Sequence, residues 1–293
     1  MFVITVPYLD LDKTYISNQA IHWRKLKNKK YVIVNGKKAV KVQQQKDRLL
    51  FNCSEEEFYG VWFKYFDMKT DYVKVGDTLR KMSIESKICS VRAKGIRLLK
   101  CDLLESLFVA FFIGIGVKNP FAKIDLLSTL CGIEHHQSMR EDGIITWFEF
   151  PQPESILECR EKLKKNYNIN FDYKVNELLE FCDYIVEDWF SIDTLSKCET
   201  ICEVRDYLSE FEWFNEESIH YLCLQSALDI KADPAINKKS KTALEKVMDC
   251  DLETFVQWFQ DDLDGLFEYV VLYALYNFDN PPTERELERW ERT

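Results

Sequence analysis

The sequence predicts an α+β fold: a small N-terminal antiparallel β-sheet domain packed on a two-lobed, all-helical domain. Three observations carry this. β-branched residues alternate with polar ones from Phe2 to about Phe51. From Leu99 onward the apolar spacing is almost entirely helical. The chain changes character near residue 95, which sets the domains at 1–94 and 95–293. With 293 residues, 46% hydrophobic and 14% aromatic, the chain can bury a large shared core without staples.

The elements follow in order. FVITV, TYISNQAIHW, KYVIVNGKKAVKVQ and RLLFNC read as strands. Asn35-Gly36 between two of these runs is a hairpin signal, because both central positions of such a turn want positive φ. SEEEFYGVWFKYF then reads as a helix, with Ser54 as N-cap and Glu57 completing a capping box. TLRKMSIESKICSVRA is another helix. Beyond Leu99 come helical runs including DLLESLFVAFFIGI, FAKIDLLSTLCG, PESILECREKLKKNY, KVNELLEFCDYIVEDWF, SKCETICEVRDYLSEF, EESIHYLCLQSAL, KSKTALEKVM, DLETFVQWFQ, LFEYVVLYALY and ERELERWE. Pro151, Pro153, Pro281 and Pro282 punctuate them. Trp62, Phe66, Trp189, Trp213, Trp258 and Phe259 are expected in the core, not on a base-stacking surface.

Composition excludes several classes. No stretch reaches the ~18 uncharged apolar residues of a membrane span. The start MFVITVPYLDLDK lacks the basic region of a signal peptide. The ten cysteines show no C-x-x-C pair, so they read as reduced thiols of a cytoplasmic protein. Cys198 and Cys202 would share a helix face, and His135-His136 read as a polar loop, not a zinc site. There is no Walker loop and no dinucleotide fingerprint; Gly114-Ile115-Gly116 is too weak a signal to use. No cofactor and no metal are expected. Charge is divided unevenly. Residues 1–130 hold 23 Lys+Arg and 13 Asp+Glu, a net +10; residues 131–293 hold 16 and 36, a net −20. An acidic second half is poorly suited to gripping a phosphate backbone.

Four stretches now carry a family resemblance. LDLDKTYISNQAIHW (Leu9–Trp23) is similar to L-x-x-T-x-x-x-G-Q-x-F-R-W, and NCSEEEFYGVWFKYFDMKTDY (Asn52–Tyr72) to a helix ending W-x-x-Y-F-D. KGIRLLKCDLLESLFVAFFI (Lys94–Ile113) is similar to G-I-R-L-L-x-x-D-x-x-E-x-L-x-x-F-I, and FPQPESI (Phe150–Ile156) to F-P-x-P-E-x-L. Together, in this order and spacing, they resemble the 8-oxoguanine DNA glycosylase family of the helix-hairpin-helix superfamily. The resemblance implies a sheet domain on a two-lobed helix-hairpin-helix glycosylase-like body, with the hairpin at about 209–237.

The same resemblance implies where the site lies, and the residues there depart from it. The segment Trp213–Asn237, WFNEESIHYLCLQSALDIKADPAIN, keeps the apolar frame. The nucleophilic lysine falls on Ser218 and the catalytic aspartate on Asn237, a separation of 237 − 218 = 19 that equals the family's. Serine has no amine to form an imine, and asparagine carries no charge to stabilise a sugar cation. The glycine hairpin that offers amides to a phosphate falls on Phe214, Asn215 and Glu216. The base-pocket positions fall on Asn18, Glu268 and Leu272, and the arginine before Trp23 on His22. The wedge and orphan-base positions fall on Val117, Lys118, Asn119, Phe171 and Asp172. Base flipping needs wedge, pocket and backbone grip together. Lys238 and Lys239 lie near the site in sequence.

The expectation is therefore a catalytically inactive relative that acts by binding. Its acidic half suits a protein partner with a basic nucleic-acid-binding surface, as an inhibitor or decoy from a phage or mobile element would. Two alternatives stand beside it. One is an active glycosylase with relocated catalytic groups. The other is a non-catalytic DNA binder, weakly held through Lys25, Lys27, Lys29, Lys30, Lys37, Lys38 and Lys41 of the basic half.

Overall fold

The computed structural model describes residues 1–17, 19–82, 84–139, 143–167, 171–230, 238–248 and 267–281. The N-terminal strands are β1 (Phe2–Thr5), β2 (Trp23–Lys25), β3 (Lys30–Asn35), β4 (Lys38–Gln45) and β5 (Arg48–Phe51), with helix α1 (Leu11–Ile16) between β1 and β2. They form one sheet in the order β1-β5-β4-β3-β2, each neighbouring pair antiparallel.

Helices α2 (Glu55–Glu57) and α3 (Phe63–Tyr65) flank a π-helical turn, Phe58–Trp62. Next come α4 (Tyr72–Met82), α5 (Ile84–Ala93), α6 (Leu103–Gly114) and α7 (Pro120–Cys131), then a two-stranded hairpin of β6 (Glu134–Met139) and β7 (Gly143–Phe148). The remaining helices are α8 (Pro153–Glu158), α9 (Arg160–Tyr167), α10 (Val175–Val186), α11 (Ile192–Ser196), α12 (Ile201–Leu208), α13 (Glu216–Gln225), α14 (Lys238–Met248) and α15 (Phe267–Asp279). Among the described residues no helix is long and apolar enough to cross a membrane.

The α+β architecture agrees with the sequence, and the differences have local causes. The run TYISNQAIHW is partly helical, because the Asp10 side chain accepts from the Lys13 amide and starts α1. The β3–β4 turn is one residue later than expected. Asn35 pairs with Lys38, and of the two central residues, Gly36 and Lys37, only Gly36 has positive φ. Ser54 does cap α2 through the Glu57 amide, but the Glu57 carboxylate accepts from Trp62 Nε1. His135 and His136 lie on β6, not in a loop; His135 stacks on Trp147 across the hairpin at 4.2 Å. The expected helix at 196–211 is broken, because Thr200 and Glu203 form a capping box that begins α12 between Cys198 and Cys202. The helices read at DLETFVQWFQ and ERELERWE lie outside the described residues.

Two cores hold the elements. The larger joins the inner face of the sheet to α6, α7, α10 and α13. The smaller packs α4 and α5 against α14 and α15, bringing Val75, Leu98, Leu244 and Leu272 together. Trp62, Phe66 and Trp213 are buried as expected; Trp189 is not, being 65% exposed. Trp258 and Phe259 lie outside the described residues.

The joint between sheet and body is polar. Glu105, in the first turn of α6 and only 1% exposed, accepts the Gly36 amide at 2.9 Å. Asn35 Oδ1 accepts the Asp102 amide at 2.6 Å, and Asp102 caps α6 in turn. A Cβ on Gly36 would meet the Asp102 carboxylate at 2.9 Å, in a backbone region that side chains disfavour. His22 completes the joint. Its Nδ1 lies 2.9 Å from Asp125 of α7, and its Nε2 lies 3.3 Å from Ser128 and 4.0 Å from Glu105.

Burial pushes the Glu105 carboxyl up to about 7, against the opposing pull of His22. Burial lowers His22, but the Asp125 hydrogen bond and the Glu105 and Asp125 charges outweigh it and raise it. Both shifts have the same consequence. A raised carboxyl costs stability as pH climbs from the unfolded value through about 7, and a raised imidazolium loses its contribution as pH climbs through its folded value. Denaturant unfolding should therefore show stability falling from about pH 5 to about pH 8, by roughly 3 kcal/mol from Glu105 alone. Glu105→Gln should flatten that slope; an unchanged slope would refute the assignment.

Candidate functional site

Ser218 sits at the third position of α13 and is wholly buried. Its hydroxyl accepts the Asn215 amide at 2.9 Å and donates to the Asn215 carbonyl at 2.7 Å. The Asn215 side chain returns a bond by accepting the Ser218 amide at 3.0 Å. This reciprocal capping box uses the serine's donor and an acceptor site on its oxygen.

The preceding turn is equally committed. Phe214 turns inward, its ring 5.9 Å from Phe181 and 6.1 Å from Phe190. Trp213 is buried among Phe111, Phe181 and Tyr184. Glu216 is held by Arg205 at 2.8 Å and lies 3.4 Å from His220 Nε2. Glu216 and Glu217 put two carboxylates on the first turn of α13, whose free amides would otherwise attract an anion. Gly114 permits the close approach of this turn. A Cβ there would lie 1.8 Å from the Trp213 carbonyl oxygen. The Gly114-Ile115-Gly116 signal set aside in the sequence thus has a packing role.

Asn18 and Asn237 lie outside the described residues, as does the side chain of Glu268 on α15. Leu272 is 7% exposed and belongs to the smaller core. Val117 and Phe171 are buried in the larger core. One oxygen of the half-buried Asp172 carboxylate accepts the Lys118 amide at 2.8 Å in an exposed setting and ties the two wedge-equivalent loops together. Asn119, Asp172 and Tyr173 all have left-handed φ, and Tyr173 is 69% exposed beside this tie.

One cleft of about 1220 Å³ opens between the sheet, α7 and the β6–β7 hairpin. Its lining includes Ile16 and Ala20 on either side of position 18, Asn119, and Lys239 two residues beyond position 237. Ser218 does not line it. Trp147, Phe121 and Phe148 give it aromatic walls, and His22, Asp125 and Ser128 a polar stretch. Lys239 is paired with Asp279 at 2.8 Å. Among the described residues, no group of three or more His, Cys, Asp or Glu could hold a metal ion. Sequence reasoning missed Glu105 and Asp125; the visible signal was a single acid within the apolar run LLESLFVAFFIG.

Residues 1–107 match the family model described as 8-oxoguanine DNA glycosylase, N-terminal domain. No curated protein sequence is matched. Among solved structures, the chain is similar to MBOgg1 in complex with a low-affinity DNA ligand, with TM-score 0.77 and 20% identity over 96% of each chain. It is similar to the Clostridium acetobutylicum 8-oxoguanine glycosylase/lyase in complex with dsDNA containing cytosine opposite 8-oxoG, with TM-score 0.75 and 21% identity over 94% of each chain. The 3-methyladenine DNA-glycosylase from Archaeoglobus fulgidus gives TM-score 0.67 and 14% identity over 96% of this chain and 99% of that one. The fold along the chain is that of 8-oxoguanine glycosylases.

The capping box and the Gly114 contact make two stability predictions. Asn215→Ala should lower unfolding free energy by about 1 kcal/mol. Gly114→Ala should cost roughly 3 kcal/mol through overpacking. Denaturant titration checks both; a neutral Gly114→Ala would contradict the close approach.

Proposed function

We propose that this chain, with its 8-oxoguanine glycosylase N-terminal domain and fold, acts by binding and does not excise bases through a lysine nucleophile. The observation that carries the reading is the closed Ser218–Asn215 capping box, where the resemblance would place the attacking amine. The two carboxylates on the first turn of α13 support it, because they oppose a phosphate at that helix end. Asn237 at the expected acid position is consistent with the same loss.

The partner most in keeping with the charge division is a protein with a basic nucleic-acid-binding surface. DNA grip through the basic half is the weaker reading. Lys30 is buried, and Lys25 and Lys29, though half exposed, share Asp12, which offsets part of the charge of the seven expected cations. One observation favours an active enzyme: Lys239 lines the cleft, although Asp279 holds it.

Borohydride trapping separates these readings. With duplexes carrying 8-oxoguanine opposite cytosine, or an abasic site, the protein should give no covalent adduct and no strand cleavage. An adduct that disappears in Lys239→Ala would establish the relocated enzyme instead. In a salt titration of duplex binding, a shallow slope is expected; a steep loss of affinity would restore the DNA-grip reading.

A further inference from the structure

The lobe formed by residues 175–217 holds an exposed tryptophan in an acidic setting. Helix α10 ends in a left-handed Asp188 (φ 60°), and the Trp189 amide donates back to the Tyr184 carbonyl at 2.9 Å. Such an ending asks for an apolar contact between the residue after the left-handed one and the last helical turn. Trp189 supplies it, its ring 5.1 Å from Tyr184. A smaller side chain would serve that purpose. Trp189 leaves 65% of its surface in solvent, beside Val186 at 40%. Phe211, partly buried, continues the apolar strip through Tyr184 at 6.5 Å.

The charges around this strip identify what would cover it. Residues 175–217 contain thirteen acids, Glu177, Glu180, Asp183, Glu187, Asp188, Asp193, Glu199, Glu203, Asp206, Glu210, Glu212, Glu216 and Glu217, and two cations, Lys197 and Arg205, a net −11. Both cations are engaged by neighbouring acids, Lys197 by Asp193 and Arg205 by Glu216, and two of the acids are paired from outside the segment, Glu177 by Lys174 and Asp183 by Arg160. Glu187, Asp188 and Glu210 are exposed. Glu187 and Asp188 directly precede Trp189 in the chain, so two exposed carboxylates flank the indole.

We propose that the Trp189 strip is the docking surface for an arginine-bearing basic segment of a partner protein. An arginine stacks on an exposed indole and pairs with flanking carboxylates at the same time, and tryptophan and arginine are the residues that anchor interfaces. A nucleic acid strand is disfavoured by the same charges. This surface gives a location to the protein-partner reading above, and rests on it for the kind of partner.

The test uses the full chain and a fluorescein-labelled oligo-arginine nonapeptide, read by anisotropy. Binding should weaken steeply with salt. Trp189→Ala, which leaves net charge unchanged, should lose at least tenfold in affinity while its thermal unfolding stays near that of the parent. Glu56→Gln/Glu57→Gln, neutralising acids on α2 instead, should change little. Equal affinity of the parent and Trp189→Ala would overturn the proposal, as would equal weakening by the α2 variant. Concentration-dependent self-association abolished by Trp189→Ala would assign the surface to the basic half of a second copy, and would also overturn it. Borohydride trapping is independent of all these outcomes, so a failed docking surface and a surviving excision activity give different results.

Discussion

The buried carboxyl of Glu105 sets the geometry on which the two parts of the molecule depend. It stands in the first turn of the apolar helix α6, nearly fully buried, and it meets the Gly36 amide of the sheet and the His22 ring. A buried acid is tolerated only when its oxygens are satisfied. Here the satisfying groups come from the other side of the joint, so sheet and body specify one another's position. Asp102 and Asn35 reinforce the contact through a second amide bond one turn away. Because Gly36 lies at a tight turn against Asp102, the sheet approaches helix α6 closely enough for these bonds to form.

The same economy of polar groups explains the region where excision chemistry would sit. An exposed amine at the start of α13 needs a free approach and a receptive backbone. This chain has a buried hydroxyl that completes a cap, an inward-facing phenylalanine and two first-turn acids. Each is a stabilising arrangement for a helix start. Together they suit this helix end to packing more than to holding a phosphate.

The wedge-equivalent loops tell a related story. Asp172 ties the loop before α10 to the loop before α7 through the Lys118 amide, while Val117 and Phe171 anchor both loops in the core. Charge completes the contrast: the basic first half meets its own acid at Asp12, and the acidic lobe around α10–α13 engages its two cations internally. That lobe is net negative in sequence and carries an exposed indole.

Much of this was legible in the sequence. The alternating strands, the helical periodicity beyond Leu99, the turn signal at Gly36 and the capping serine at position 54 come from local chemistry, and local chemistry is written residue by residue. The serine at position 218, where the resemblance would place a lysine, was equally plain. The β6–β7 hairpin was not, because EHHQSM and GIITWF lack strict alternation and pair only through each other. Nor was the exposure of Trp189, which shares the helical spacing of buried aromatics and is set apart only by the left-handed turn at Asp188. The sequence by itself determined the class of fold, the charge division and the absence of a lysine at position 218. Only the tertiary structure decided that Glu105 joins the two parts, that Asp172 faces a backbone amide, and that the serine hydroxyl is closed in a cap. Those outcomes depend on which distant groups meet, and burial makes each such meeting obligatory for a polar atom.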